Sequence, residues 1–224
     1  VLADNTVLGL DYVTTENTDG FWTVRTNRLP ALTSFLALNN AIDDEKEANS
    51  TFLLVDNKAT ISTLEQLINF RIQMNSGDLE VNKDTVITLT EDIIVNEGDA
   101  KKWANGTSTK PTSWTPIVGF NGKFDGGGHT ISGLYIAGQA SGQKGIGLFT
   151  QTNGATIQNL KVTNSYFVVG TTNGTGGVVG QGSGTFNQIY TDVIMSDTNG
   201  TPRGYAGGIM SAAVDGIKVA ESII

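Results

Sequence analysis

"GIGLFTQTNGATIQNLKVTN" (residues 145–164) joins glycines to branched and aromatic apolar residues in one turn-and-strand phrase, and about thirty positions later the chain repeats it with most polar letters changed. Aligning the apolar strands brings together "TISGLYI" (130–136), "TIQNLKV" (156–162), "TFNQIYT" (185–191) and "VDGIKV" (214–219). Ile131, Ile157, Phe186 and Val214 then stand 26, 29 and 28 residues apart, and Leu134, Leu160, Ile189 and Ile217 keep the same steps. A second register runs through "GLFT" (147–150), "GVVG" (177–180) and "GIMS" (208–211), with glycines spaced 30 and 31 residues apart. Two registers of similar period define a structural repeat.

A repeat of this length, built of short strands, cannot bury its apolar face alone and must stack on its neighbours. The apolar letters persist because they line a shared interior, and surface letters drift. Glycines are expected at corners whose backbone angles other residues resist. The expected fold class is all-β: a right-handed parallel β-helix (β-solenoid) with an N-terminal capping α-helix, each coil rising about 4.8 Å on the last.

Composition bounds the function. The 224 residues carry 14 Lys and Arg against 22 Asp and Glu, a net charge of −8, which opposes phosphate backbones and anionic lipid. No nucleic-acid partner and no membrane insertion are expected. With no cysteine, disulfides and thiolate metal sites are excluded. No run approaches the roughly 18 apolar residues of a membrane span.

One segment departs from the β pattern. "ISTLEQLINFRIQMNSG" (61–77) has Ser62 followed by Glu65 as a capping box, Leu64, Leu67, Ile68 and Ile72 at helical spacing, and Gly77 just past the end. The spacing predicts a helix over 63–75, with Phe70 and Met74 on a second apolar face. Strand phrases follow at 85–95 and 115–136, separated by a polar loop over 96–114.

The phrases "WTPIVG" (114–119), "FDGGGHTISGLYI" (124–136), "GLF" (147–149) and "GATIQNLKVTN" (154–164) resemble the GLUG-motif β-solenoids of bacterial cell-surface proteins. Together with the helix and the strand phrase that open such domains, the resemblance covers about residues 60–220. Thr150 and Ser211 stand where the motif's final glycine is expected. The resemblance implies an extracellular, cell-surface location and a non-catalytic role in adhesion or as a structural stalk. It supplies no catalytic residues. The alternative on the same scaffold is a carbohydrate-binding or polysaccharide-degrading β-helix.

"GFWTVRTNRLPALTSF" (20–35) is similar to the phrase that closes such a solenoid, although here it precedes the opening helix. The expected organisation is therefore a window on a longer tandem protein. Residues 1–38 would be the tail of a preceding solenoid, 39–60 a connection and 61–224 the next solenoid. Open strand edges would then favour head-to-tail self-association.

Glycoside hydrolysis needs two carboxylates about 5–9.5 Å apart. The candidates are Asp125, Asp192, Asp197 and Asp215, of which Asp125, beside three glycines, reads as a turn residue accepting backbone N–H groups. Asp192 and Asp215 fall at different offsets in the repeat. His129 is the single histidine and lacks recognisable triad partners, so it reads as a turn residue. Acidic, glycine-rich turns make calcium a possible ligand, but no tandem calcium-binding array is present. The ligand-binding candidates are Trp103 with Lys101 and Lys102, read as an exposed aromatic platform in the 96–114 loop for a surface glycan or protein receptor. Trp114 reads as a packing residue.

Overall fold

The computed structural model describes Tyr12–Val13, Trp22–Thr23, Ala31–Leu32 and residues 52–138, 145–168, 174–196 and 206–220, with backbone alone over 212–217. The chain divides into two compact units, Val1–Ser50 and Thr51–Ile224. In the first, β1 (Tyr12–Val13) pairs parallel with β2 (Trp22–Thr23), which pairs antiparallel with β3 (Ala31–Leu32). The rest of the expected 1–38 tail lies outside the described residues.

The second unit is mostly β, with two helices among the described residues. Its strands are β4 (Lys58–Ile61), β5 (Val86–Leu89), β6 (Ile93–Ile94), β7 (Lys123–Asp125), β8 (Thr130–Ser132), β9 (Tyr135–Ile136), β10 (Phe149–Val168), β11 (Thr175–Gly176), β12 (Val179–Ser196), β13 (Ala206–Gly207) and β14 (Met210–Ala220). The order β14-β12-β10-β7-β5-β4 forms one parallel sheet, to which β6, β8 and β9 also belong. A parallel sheet of many strands with few helices is compatible with a β-helix or solenoid.

The middle of the expected alignment holds, because Ile157 lies beside Phe186 and Leu160 beside Ile189. Its two ends slip. Phe124, not Ile131, lies beside Ile157, and Ile131 lies beside Val162. At the other end Val219, not Val214, lies beside Phe186, and Ile217 lies beside Gly184. Corner length is the cause: seven steps separate Phe124 from Ile131, whereas five separate their partners Ile157 and Val162. The second register holds throughout, with Phe149, Val179 and Met210 side by side.

Inward residues of neighbouring strands build one core. Ile87, Phe124, Ile157 and Phe186 form a fully buried row across β5, β7, β10 and β12. A second stack, Phe52, Phe70, Phe120, Phe124 and Phe149, has centroid distances of 5.0 to 6.3 Å. Such stacked, tilted and edge-to-face ring pairs add about 0.5–1.5 kcal/mol each beyond their buried area.

Helix α1 (Leu64–Ser76) contributes Phe70 to that stack and buries Leu67 beside it. Ile72, expected on the buried face, is 50% exposed, while Phe70 takes the central position instead. The cap also sits one residue later than expected. Thr63 Oγ1 accepts from the Gln66 N–H at 3.2 Å, and Gln66 Oε1 accepts from the Ser62 N–H at 2.8 Å. Thr63 thus caps the helix, while Gln66 reaches back past the cap to Ser62 rather than to the Thr63 N–H, a variant of the capping box shifted from the expected Ser62 and Glu65. Gly77 closes the helix in the left-handed region at φ +82°, as the sequence predicts. Replacing Thr63 by Ala is expected to cost about 1 kcal/mol, whereas Glu65→Gln should cost far less. Equal losses in urea denaturation would reject this cap assignment.

The repeat glycines answer to a different constraint from the one expected. Gly177 has no positive φ, but a Cβ there would stand 2.2 Å from the Gly208 carbonyl oxygen. A Cβ on Gly180 would stand 2.6 Å from the Gly145 Cα. Neighbouring backbones touch along this side, so glycine is required for closeness rather than for backbone angle.

Candidate functional site

Where β7, β10 and β12 turn, the chain sets two residues outward between two inward ones. Ile157 and Leu160 are buried, with Gln158 and Asn159 between them; Phe186 and Ile189 are buried, with Asn187 and Gln188 between. Asn159 and Gln188 both adopt the left-handed region, at φ +53° and +54°, which makes the corner. At the corresponding corner of β7 the chain inserts Gly127 and Gly128, at φ +60° and +83°. These extra residues project as a lip.

Beside that lip lies an open groove of about 680 Å³, lined by Thr88, Asp125, Asn159, Lys161, Gln188 and Tyr190 together with the glycine lip and Ile189. Thr88, Asp125, Gln158 and Asn187 stand in register on four adjacent strands, and Lys161 stands beside Tyr190. The Tyr190 residue is 41% exposed, whereas Ile189 beside it is buried.

Asp125 organises the corner. Its Oδ1 accepts from the Gly127 N–H at 3.1 Å and from Asn159 Nδ2 at 2.8 Å, and its Oδ2 accepts from Gln158 Nε2 at 2.6 Å. Lys123 Nζ approaches Oδ2 at 3.5 Å. Partial burial alone would raise the carboxyl, but the bonds from Asn159, Gly127 and Gln158 and the Lys123 charge outweigh it and hold it below the usual carboxylate value. The folded value thus lies under the unfolded one of about 3.9. Its contribution to stability is complete above that unfolded value and is lost as the pH falls through the folded one. Stability measured from pH 6 downward is expected to fall more steeply for the native chain than for Asp125→Asn, and parallel curves would reject the assignment.

The other acidic candidates do not join this site. Asp192 is exposed on β12, at a different register position from Asp215 on β14. The side chain of Asp215 and all of Asp197 lie outside the described residues. His129 Nδ1 lies 3.4 Å from Asp92 Oδ1, and its N–H closes a turn to the Gly126 carbonyl at 2.8 Å. Asp125 is the one carboxylate among the described residues lining the groove. Among the described residues no three His, Asp or Glu side chains are grouped as a metal site.

The expected aromatic platform is closed. Residues 96–114 include the helix α2 (Ala100–Ala104), capped by Asp99, rather than forming a loop throughout. Lys101 and Lys102 are exposed on it, but Trp103 is only 3% exposed and packs with Tyr135, Tyr166 and Val168. Asn164 fastens the segment, accepting from the Ala100 N–H at 2.9 Å and donating to the Gly98 carbonyl at 2.9 Å. Trp114 is buried as expected, under the Arg71 guanidinium at 4.8 Å.

The groove was missed by sequence reasoning, although its signal is present. "IQNL" (157–160) and "FNQI" (186–189) each set two amide side chains between two apolar residues at matching positions.

The chain is 30% identical over 131 residues to halomucin of Haloquadratum walsbyi, a match covering 58% of this chain and 1% of halomucin. It therefore spans a very small part of that relative. No family model matches the chain, and no solved structure matches it.

Proposed function

We propose that the chain is a right-handed parallel β-helix of the GLUG-motif type, serving as a non-catalytic module of an extracellular cell-surface protein in adhesion or as a stalk. The observation that carries this reading is the parallel pairing of β10 with β12 and of β12 with β14, one repeat of about thirty residues apart, with backbones in contact at the repeat glycines. Such a scaffold presents an extended surface. The partial likeness to halomucin supports the surface location.

Antibody raised against this chain is expected to label intact cells of the source organism, with the label removed by brief external proteolysis. Labelling that requires lysis would overturn the location. Incubation with polysaccharides is expected to release no new reducing ends, and turnover would overturn the non-catalytic role.

A further inference from the structure

We propose that the groove lined by Thr88, Asp125, Asn159, Gln188 and Tyr190 binds a neutral glycan chain lying across the strands. Its course along β5, β7, β10 and β12 spans three inter-strand spacings of about 4.8 Å, or about 14 Å. Such an open, elongated trough suits an extended polymer better than a compact small molecule.

The lining chemistry selects the polymer. The exposed Tyr190 ring offers an apolar face with a polar tip, matching a sugar ring that carries C–H groups on its face and hydroxyls at its edge. The amides of Asn159 and Gln188 and the Thr88 hydroxyl each combine donor and acceptor capacity, as sugar hydroxyls do. Gln158, Asn159, Gly127 and Lys123 take up the acceptor sites of Asp125, so its part is to hold the Asn159 amide at the edge of the groove without further ordering cost. Lys123 already pairs with Asp125, which leaves Lys161 as a single ammonium in a lining that is otherwise uncharged and polar, so an anionic polymer is the competing ligand to be tested. A peptide strand would need an open row of backbone donors and acceptors, whereas the strands crossed here include β7 and β10, already paired on both sides.

The two left-handed corners support the same reading. Asn159 and Gln188 stand at equivalent positions with almost equal φ, so their backbone places both amides at one edge of the trough.

The test is calorimetric titration of the full chain with cello-, manno-, xylo- and malto-oligosaccharides, using polygalacturonate as the anionic comparison. At least one neutral series is expected to bind saturably. Tyr190→Ala should weaken it about tenfold or more, and Tyr190→Phe should retain most of the affinity. Asn159→Gly, which removes the amide but keeps the corner's backbone conformation, should also weaken it. Because Tyr190 is exposed, the circular dichroism and denaturation midpoint of Tyr190→Ala should match the native chain. Absence of binding to every neutral series would overturn the proposal. So would binding indifferent to Tyr190 and Asn159, or tighter binding of polygalacturonate that depends on Lys161.

Discussion

Replacing Phe124 by Ala is expected to lower the unfolding free energy of this chain by about 3–5 kcal/mol, the range for a large buried ring removed without collapse of its site. Phe124 is fully buried and contacts the rings of Phe70, Phe120 and Phe149 at 6.3, 6.3 and 5.5 Å. Those partners come from α1, from the segment before β7 and from β10, so the cavity would open where three stretches of chain meet. Collapse is difficult because Phe124 also sits in the parallel ladder, flanked by Ile87 and Ile157. Phe124→Leu should recover much of the loss, since it refills part of the volume. Urea denaturation followed by circular dichroism measures all three proteins. A loss below about 1 kcal/mol for the Ala variant would mean that the aromatic stack is not a unit of the core.

Gly133→Ala is the second change with a large expected effect. Its φ is +75°, and a Cβ there would stand 2.0 Å from the Asn96 carbonyl oxygen and 2.8 Å from the Asn96 nitrogen. Backbone cannot yield as a side-chain tip can. The Gly133 carbonyl also accepts from Asn96 Nδ2 at 2.9 Å, and the same nitrogen reaches the Thr112 carbonyl at 3.0 Å. Displacement would therefore loosen both ends of the segment that carries α2. Strain at a left-handed position contributes about 1–3 kcal/mol, and forced overlap about as much again. Gly128 supplies the control. It has φ +83° and open space within 4 Å of the point where a Cβ would stand, so Gly128→Ala carries the strain alone. Equal losses at the two sites would show that close approach at Asn96 does not matter.

The repeat, the opening helix and the middle register were legible because each rests on periodicity that a single chain displays. Ile157 and Phe186 keep their spacing because the corners that follow them are equally long. The slip at Ile131 was illegible for a physical reason: "DGGG" (125–128) reads as a turn whether it spends four residues or two on the corner, and only stacking decides. Trp103 misled because Lys101 and Lys102 precede it, yet successive helix residues point about 100° apart, so exposed neighbours leave its direction undetermined. The groove needed both pieces of information. Its amide pairs are visible in the letters, but which side chains share one trough depends on corner lengths that the letters leave open.

The parallel register between β10 and β12 has a kinetic consequence. Phe149 pairs with Val179 and Phe167 with Met195, separations of 30 and 28 residues. Each pairing therefore closes a loop of nearly the same length, and closure entropy grows only as the logarithm of that length. Adding a further repeat would add another closure of the same cost rather than a longer one. Folding by sequential growth from an already formed turn should thus proceed at a roughly constant rate per repeat, whatever the total length of the array.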